Sequence, residues 1–164
     1  MLRSLFFLFL LSFILSACQK SSSENIKSSE FRMLKDKLED MEGNAFKLSD
    51  SEDQKLVVHF WATWCKPCIE ELPALEKAEL TLEQNNFRVL LVSEETTEEI
   101  NDFLEKKKID LESFRYKEAL TNLKIYALPT TFVFNEKGEK TFSKTGRINW
   151  GSEEEIQEIL NLPK

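Results

Sequence analysis

Trp61-Ala62-Thr63-Trp64-Cys65-Lys66-Pro67-Cys68 follows directly on Leu56-Val57-Val58-His59-Phe60, a β-branched and aromatic run that reads as a central strand. The two cysteines stand one helical turn apart. Their sulfurs can close a small ring, and with the bond open Cys65 can sit at a helix N-terminus, where aligned backbone N–H groups stabilise a thiolate. After the pair, Lys66 to Gln84 carries Ile69, Leu72, Leu75, Ala78 and Leu82 at helical spacing. Pro73 lies inside that helix and is expected to kink it, because it removes one ladder donor. Further on, Leu128-Pro129-Thr130-Thr131-Phe132-Val133-Phe134 leads a proline straight into a second apolar strand.

The periods alternate along the rest of the chain. Phe31 to Glu39 and Ala45 to Leu48 read as short strands around a turn at Glu42-Gly43-Asn44. Phe87 to Val92 is the next strand, Thr97 to Lys107 a charged amphipathic helix, and Phe114 to Tyr116 a short strand. Lys117 to Tyr126 supplies a helical turn or two, and Thr131 to Asn135 with Glu139 to Ser143 forms a hairpin around Glu136-Lys137-Gly138. Ser152 is placed to cap a last helix whose first turn holds Glu153, Glu154 and Glu155. Strands alternating with helices, then a hairpin and a helix, make an α/β sandwich.

Three segments organise the chain. In residues 1–17, Arg3 precedes an almost unbroken apolar run from Leu5 to Leu15. That run is shorter than the ~20 residues a membrane span needs, and it reads as a signal peptide. It ends Leu15-Ser16-Ala17-Cys18, which resembles the lipobox of a bacterial lipoprotein; lipid on Cys18 would tether the protein to a membrane. Residues 18–30 are this cysteine and a flexible linker rich in Ser, Lys and Glu. Residues 31–164 form one domain. With three cysteines in all and Cys18 used for the anchor, Cys65 and Cys68 remain as one pair without a structural disulfide. Zinc is the competing use of such a pair, but a closed site wants four ligands, and the single histidine, His59, falls within a strand. No metal and no organic cofactor is expected. The net charge of −7, spread through the domain, argues against a nucleic-acid partner, which needs a basic stripe.

From about Leu38 onward the chain resembles the thioredoxin superfamily, and most of all its TlpA/ResA-like branch of membrane-tethered extracytoplasmic reductases. Three pieces carry the resemblance: Phe60 to Cys68, Glu71-Leu72-Pro73, and Leu128-Pro129-Thr130-Thr131-Phe132. It implies a thioredoxin-like three-layer sandwich, a central mixed sheet flanked by helices, here with an N-terminal β-hairpin extension. It also implies a thiol–disulfide oxidoreductase in which Cys65 attacks a substrate disulfide and the more buried Cys68 resolves the mixed disulfide. Pro129 corresponds to the cis-proline facing the disulfide, and Leu128 and Thr130 beside it, with Trp64 and Lys66, to the substrate-binding surface. The Cys-x-Pro-Cys pattern resembles reducing members, nearer in potential to roughly −270 mV than to roughly −120 mV.

His59 departs from the resemblance: thioredoxins carry a buried aspartate there. A neutral buried imidazole can accept the Cys68 proton, or the ring is simply a core residue. Glu71 matches the family's helix acid and either tunes the site or, the reading we favour, stands exposed. The resemblance further implies oxidised protein substrates, apocytochrome c among them, a membrane electron donor of the CcdA/DsbD type, a periplasmic location and a monomer. The alternatives are a peroxiredoxin-like thiol peroxidase, whose Pro-x-x-x-Thr-x-x-Cys pattern is absent, and a non-catalytic thioredoxin-fold binding lipoprotein.

Overall fold

The structure is a computed structural model that describes residues 28–46 and 53–163. The signal segment, Cys18 and most of the linker lie outside the described residues, as does the strand arm beyond Phe46. A six-stranded sheet runs through the domain in the order β1-β4-β3-β2-β5-β6. Its strands are β1 (Leu38–Glu39), β2 (Lys55–Phe60), β3 (Phe87–Ser93), β4 (Ser113–Tyr116), β5 (Thr130–Phe134) and β6 (Lys140–Thr145). β2, β3 and β4 run parallel, while β5 is antiparallel to β2, and β6 to β5. The sheet is therefore mixed, with β2 at its centre.

Period-two alternation sorts the central strands between two cores. Val57 and Trp61, with Val89, Leu91 and Val133, face α2 (Lys66–Glu83), α3 (Thr97–Lys107) and α4 (Glu153–Leu160). Leu56, Val58 and Phe60, with Leu90, Val92, Phe132 and Phe134, face α1 (Ser29–Lys37) and a 3₁₀ turn at Leu120–Leu123. Helices on both faces of a mixed sheet are the three layers the sequence led us to expect. Helix α3 has the bounds read from the sequence and is closed at its start by a capping box, Thr96 with Glu99. Helix α2 runs through Pro73 unbroken.

The N-terminal extension corrects the sequence reading. Phe31 to Lys37 is helix, not strand, and only Leu38–Glu39 is extended. Two local causes decide this. The Ser28 hydroxyl accepts the Phe31 N–H at 3.2 Å as an N-cap, and Phe31, Leu34 and Leu38 recur at helical spacing on the buried side. Among the described residues a bridge joins Glu39 to Ala45. The Asp40 carboxylate closes the intervening turn by accepting Asn44 N–H at 2.7 Å and Glu42 N–H at 3.0 Å. β1 then extends the sheet along the outer edge of β4.

Helix α1 docks on the β5–β6 turn through Phe31. Its ring meets Phe134 edge-on at 5.3 Å between centroids, and Ser28 N–H donates to the Gly138 carbonyl at 3.0 Å. Gly138 has φ +75°, and a Cβ there would come within 2.9 Å of the Phe31 ring. Gly138→Ala therefore meets both backbone strain and a clash, and should lower stability in chemical denaturation by about 1–3 kcal/mol. Adding Phe31→Ala relieves only the clash. The double variant should lose less than the sum of the two single changes; full additivity would contradict the docking described here.

Candidate active site

Strand β2 ends at Phe60, and the chain crosses the end of the sheet before entering α2. Trp61 N–H donates to Val92 O at 3.1 Å, and Cys65 N–H to Ala62 O at 3.0 Å, which turns the segment into the helix. Cys65 is the N-cap of α2, and the Ile69 N–H closes the first helical turn on its carbonyl at 3.1 Å. Cys65 and Cys68 are joined as a disulfide with a Cα–Cα distance of 5.3 Å. The sequence reading expected Cys65 to be the exposed member of the pair. In the disulfide both are buried, at 4% and 0% exposure, so the asymmetry between them lies in helix position more than in solvent contact. Trp64 is 72% exposed beside them. Lys66 also stands in solvent, with Glu70 at 3.9 Å as its ion partner.

On the buried face of α2 that carries Cys68 lies a buried polar pair. His59 shares its side of β2 with Val57 and Trp61, facing α2, and sits directly opposite Thr131 of β5 in the antiparallel register. Its Nδ1 meets the Thr131 hydroxyl at 2.9 Å. Its Nε2 lies 3.5 Å from Glu71 Oε1, and neither of these two atoms has a hydrogen-bond partner among the described residues. Glu71 is 2% exposed, which corrects the expectation of a solvent-facing glutamate. The reason is helical geometry: Cys68, Glu71, Leu72 and Leu75 repeat at i, i+3, i+4 and i+7 on the buried stripe of α2. The other Glu71 oxygen accepts the Ile148 N–H at 2.9 Å, so the segment between β6 and α4 closes over the pair. Trp150 from that segment packs edge-on to the imidazole.

Burial acts on the two groups in opposite senses. It pulls His59 down to about 4, so the ring is neutral at pH 7. It pushes the Glu71 carboxyl up to about 7, against the Ile148 N–H, which favours the carboxylate. The Glu71 carboxyl therefore exchanges its proton close to neutral pH, 3.5 Å from a neutral imidazole.

The other wall comes from β5. Phe60 pairs with Thr130, which brings the start of β5 to the end of β2 where the cysteine loop begins. The Leu128–Pro129 peptide bond is cis, as expected, and Leu128 packs against both cores. Thr130 is 2% exposed, and its hydroxyl donates to Ala127 O at 2.8 Å. Its side chain therefore braces the proline turn instead of forming the surface assigned to it from the sequence. Tyr126, 79% exposed just ahead of that turn, was not singled out from sequence. Among the described residues, no group of three or more His, Cys, Asp or Glu side chains is arranged to hold a metal ion.

Comparison with known proteins gives a match to the AhpC/TSA family over residues 29–140. The chain belongs to this family. It is 28% identical over 126 residues to the thiol-disulfide oxidoreductase ResA of Halalkalibacterium halodurans, covering 75% of this chain and 72% of the relative. It is 29% identical over 102 residues to the sporulation thiol-disulfide oxidoreductase A of Bacillus subtilis, covering 58% of this chain. It is 28% identical over 106 residues to the thioredoxin-like protein YneN of the same organism, covering 62% of this chain. The match spans 62% of the length of each of these two, less than two thirds. Among solved structures, StoA from Bacillus subtilis superposes with a TM-score of 0.60 at 26% identity, covering 74% of this chain and 94% of that one. A thioredoxin domain from Bacteroides vulgatus at 20% identity and TM-score 0.62, covering 74% of this chain and 90% of that one, shares the fold. The fold is thioredoxin-like, and the Cys65–Cys68 pair of this AhpC/TSA member fits thiol–disulfide exchange.

The buried pair has a pH signature. With His59 lowered from 6.5 to about 4, the folded chain binds fewer protons than the unfolded chain in that window, and stability is lost as pH falls through it. With Glu71 raised from 4.5 to about 7, the folded chain binds more protons, and stability is lost as pH rises through that window. The two slopes oppose each other in the intact protein. Glu71→Gln removes the second alone. The stability of this variant relative to wild type, measured in the disulfide form, should therefore increase from pH 4.5 to pH 7.5. A difference that stays flat with pH would mean that Glu71 ionises as an ordinary solvated carboxylate.

Proposed function

We propose that the protein is a lipid-anchored thiol–disulfide oxidoreductase that reduces protein disulfides outside the cytoplasm. The observation that carries this reading is the cysteine pair at the N-terminus of α2, on the helix that also buries Glu71 against His59. In the reduced protein, the Cys65 thiolate, stabilised by the helix N-terminus, attacks one sulfur of a substrate disulfide and expels the other as a thiolate. Cys68 then gives its proton to the buried pair and attacks the Cys65 sulfur. The second substrate thiolate leaves, the substrate has gained two electrons, and Cys65–Cys68 is the oxidised product. A membrane dithiol donor of the CcdA/DsbD type returns the two electrons.

In this scheme the ionised Glu71 carboxyl, one turn from Cys68 on the same helix face, takes the proton, and the His59 imidazole, its Nε2 3.5 Å from that carboxyl, supports it there. Trp64 and Leu128 frame the approach of the substrate chain, and Pro129 lines it. Oxidised secreted proteins are the substrate class, and the heme-site disulfide of an apocytochrome c is a member of it. The relatives named thiol-disulfide oxidoreductases support this reading. Cys18 carries the lipid and holds the protein, as a monomer, at the periplasmic face of a membrane.

Alkylation and rapid-mixing measurements test the chemistry. Cys65 should alkylate much faster than Cys68 in the reduced protein, insulin disulfides should be reduced, and peroxide should not be consumed. A well-folded His59→Ala variant should resolve the mixed disulfide on the order of 10-fold to 100-fold more slowly while attack by Cys65 is preserved. Equal alkylation of the two thiols would remove the assignment of Cys65 as nucleophile.

The anchor has a separate test by cell fractionation. Cys18→Ala should give soluble protein or an uncleaved precursor, with reductase activity retained. A fully processed variant still bound to membrane would exclude lipidation at Cys18.

A further inference from the structure

The turn after β3 makes two hydrogen-bonding connections that the chemistry above does not use. The Glu95 carboxylate grips Thr63, two residues ahead of Cys65: Oε2 accepts the Thr63 N–H at 2.7 Å and Oε1 accepts the Thr63 hydroxyl at 2.6 Å. The Ser93 hydroxyl steadies this carboxylate by donating to Oε2 at 3.0 Å, and it accepts the Glu95 N–H at 3.2 Å. The neighbouring Glu94 reaches the other way. Its Oε2 accepts the Leu120 N–H at 2.6 Å, at the start of the 3₁₀ turn. Leu120, Leu123 and Ile125 are buried in the core, and the chain then leads through exposed Tyr126 into Pro129. Adjacent carboxylates thus fasten both walls of the site to one strand end. One holds the loop that presents Trp64, and the other holds the arm that presents Tyr126.

Sheet register explains why one turn can reach both walls. β2, β3 and β4 are parallel, so the ends of all three lie on the same side as the start of antiparallel β5. β3 lies between β2 and β4, and its end is flanked by the cysteine loop on one hand and the segment leaving β4 on the other. Carboxylates bonding backbone N–H groups make charge-assisted hydrogen bonds, stronger and more directional than neutral ones. They fix where a loop lies without entering the reaction.

We propose that Glu94 and Glu95 are positioning residues that set the placement of Trp64, in the loop entering Cys65, and of Tyr126, in the arm leading to Pro129, and thereby govern recognition of an extended polypeptide disulfide. The proposal rests on the reductase reading. A small disulfide needs only the Cys65 sulfur and is indifferent to the spacing of the walls. A polypeptide reaches beyond the sulfurs to the exposed aromatic side chains of the two loops, Trp64 and Tyr126. The bracket therefore acts on binding of chain substrates and not on thiol reactivity.

The test compares two disulfides on the full-length chain, insulin as the polypeptide and hydroxyethyl disulfide as the small one. Glu94→Ala and Glu95→Ala should each raise KM for insulin about 5-fold or more with kcat within about 2-fold, while kcat/KM for hydroxyethyl disulfide stays within about 2-fold of wild type. Glu95→Gln keeps the volume but turns one acceptor into a donor facing Thr63, and should show the same split. Amide exchange reads the placement itself: Thr63 N–H should lose protection in Glu95→Ala, and Leu120 N–H in Glu94→Ala. Equal losses on both substrates, unchanged KM for insulin, or unchanged amide protection would overturn the proposal. Failure of the wild-type protein to reduce either disulfide would instead overturn the reductase reading, and the exchange measurement would still report on the bracket.

Discussion

Strand β2 is hydrogen-bonded along both edges, parallel to β3 and antiparallel to β5, and every one of its residues is buried. The position of each reacting group follows from this constraint. The strand delivers the cysteine loop to the end of the sheet where β5 begins, so Phe60 stands opposite Thr130 and the cis-proline turn meets the cysteine segment. The same register sets His59 against Thr131. A slip of one residue would turn His59 to the opposite core and break the pair with Glu71. With both faces packed by large side chains, such a slip is costly, and the site inherits its rigidity from the core beneath it.

Placing two ionisable groups at the centre of that core is costly unless their polar atoms find partners. Each group here has one firm partner: Thr131 for the imidazole and the Ile148 N–H for the carboxyl. The remaining atoms, Nε2 and Oε1, face each other at 3.5 Å. Burial lowers the histidine and raises the glutamate, so near neutral pH the imidazole is neutral while the carboxyl stands between its protonated and ionised forms. The same burial that makes the pair responsive to protons also keeps water away from it.

The exposed loops are held differently from the buried pair. Trp64 and Tyr126 are exposed and come from loops, and loops gain definition only from what fastens their backbone. Here the fastening is carboxylate to N–H, from Glu95 to Thr63 and from Glu94 to Leu120. The protein thus separates two tasks. Packing on β2 positions the buried His59–Glu71 pair, and hydrogen bonds from the β3 turn hold the loops that carry Trp64 and Tyr126.

Much of this was legible in the sequence because it depends on local order. The cysteine spacing ahead of an apolar helical period put Cys65 at the helix start, the Leu-Pro-Thr-Thr run marked the second strand, and the alternating periods identified the sheet and α3. Glu71 was misread although its i+3 position from Cys68 and its place in the Leu72, Leu75 stripe already put it on the buried side. Charge was allowed to outweigh periodicity, and only its contacts with His59 and Ile148 show what makes burial tolerable. Phe31 to Lys37 was misread as strand because the segment is short and its cap, Ser28, fell in what looked like linker. By itself the sequence determined the elements that short-range spacing controls, the redox pair among them. Tertiary structure alone decided the contacts between residues far apart in the chain, His59 with Thr131, Glu71 with Ile148, and Glu95 with Thr63. Such pairings depend on strand order and register, to which no local period corresponds.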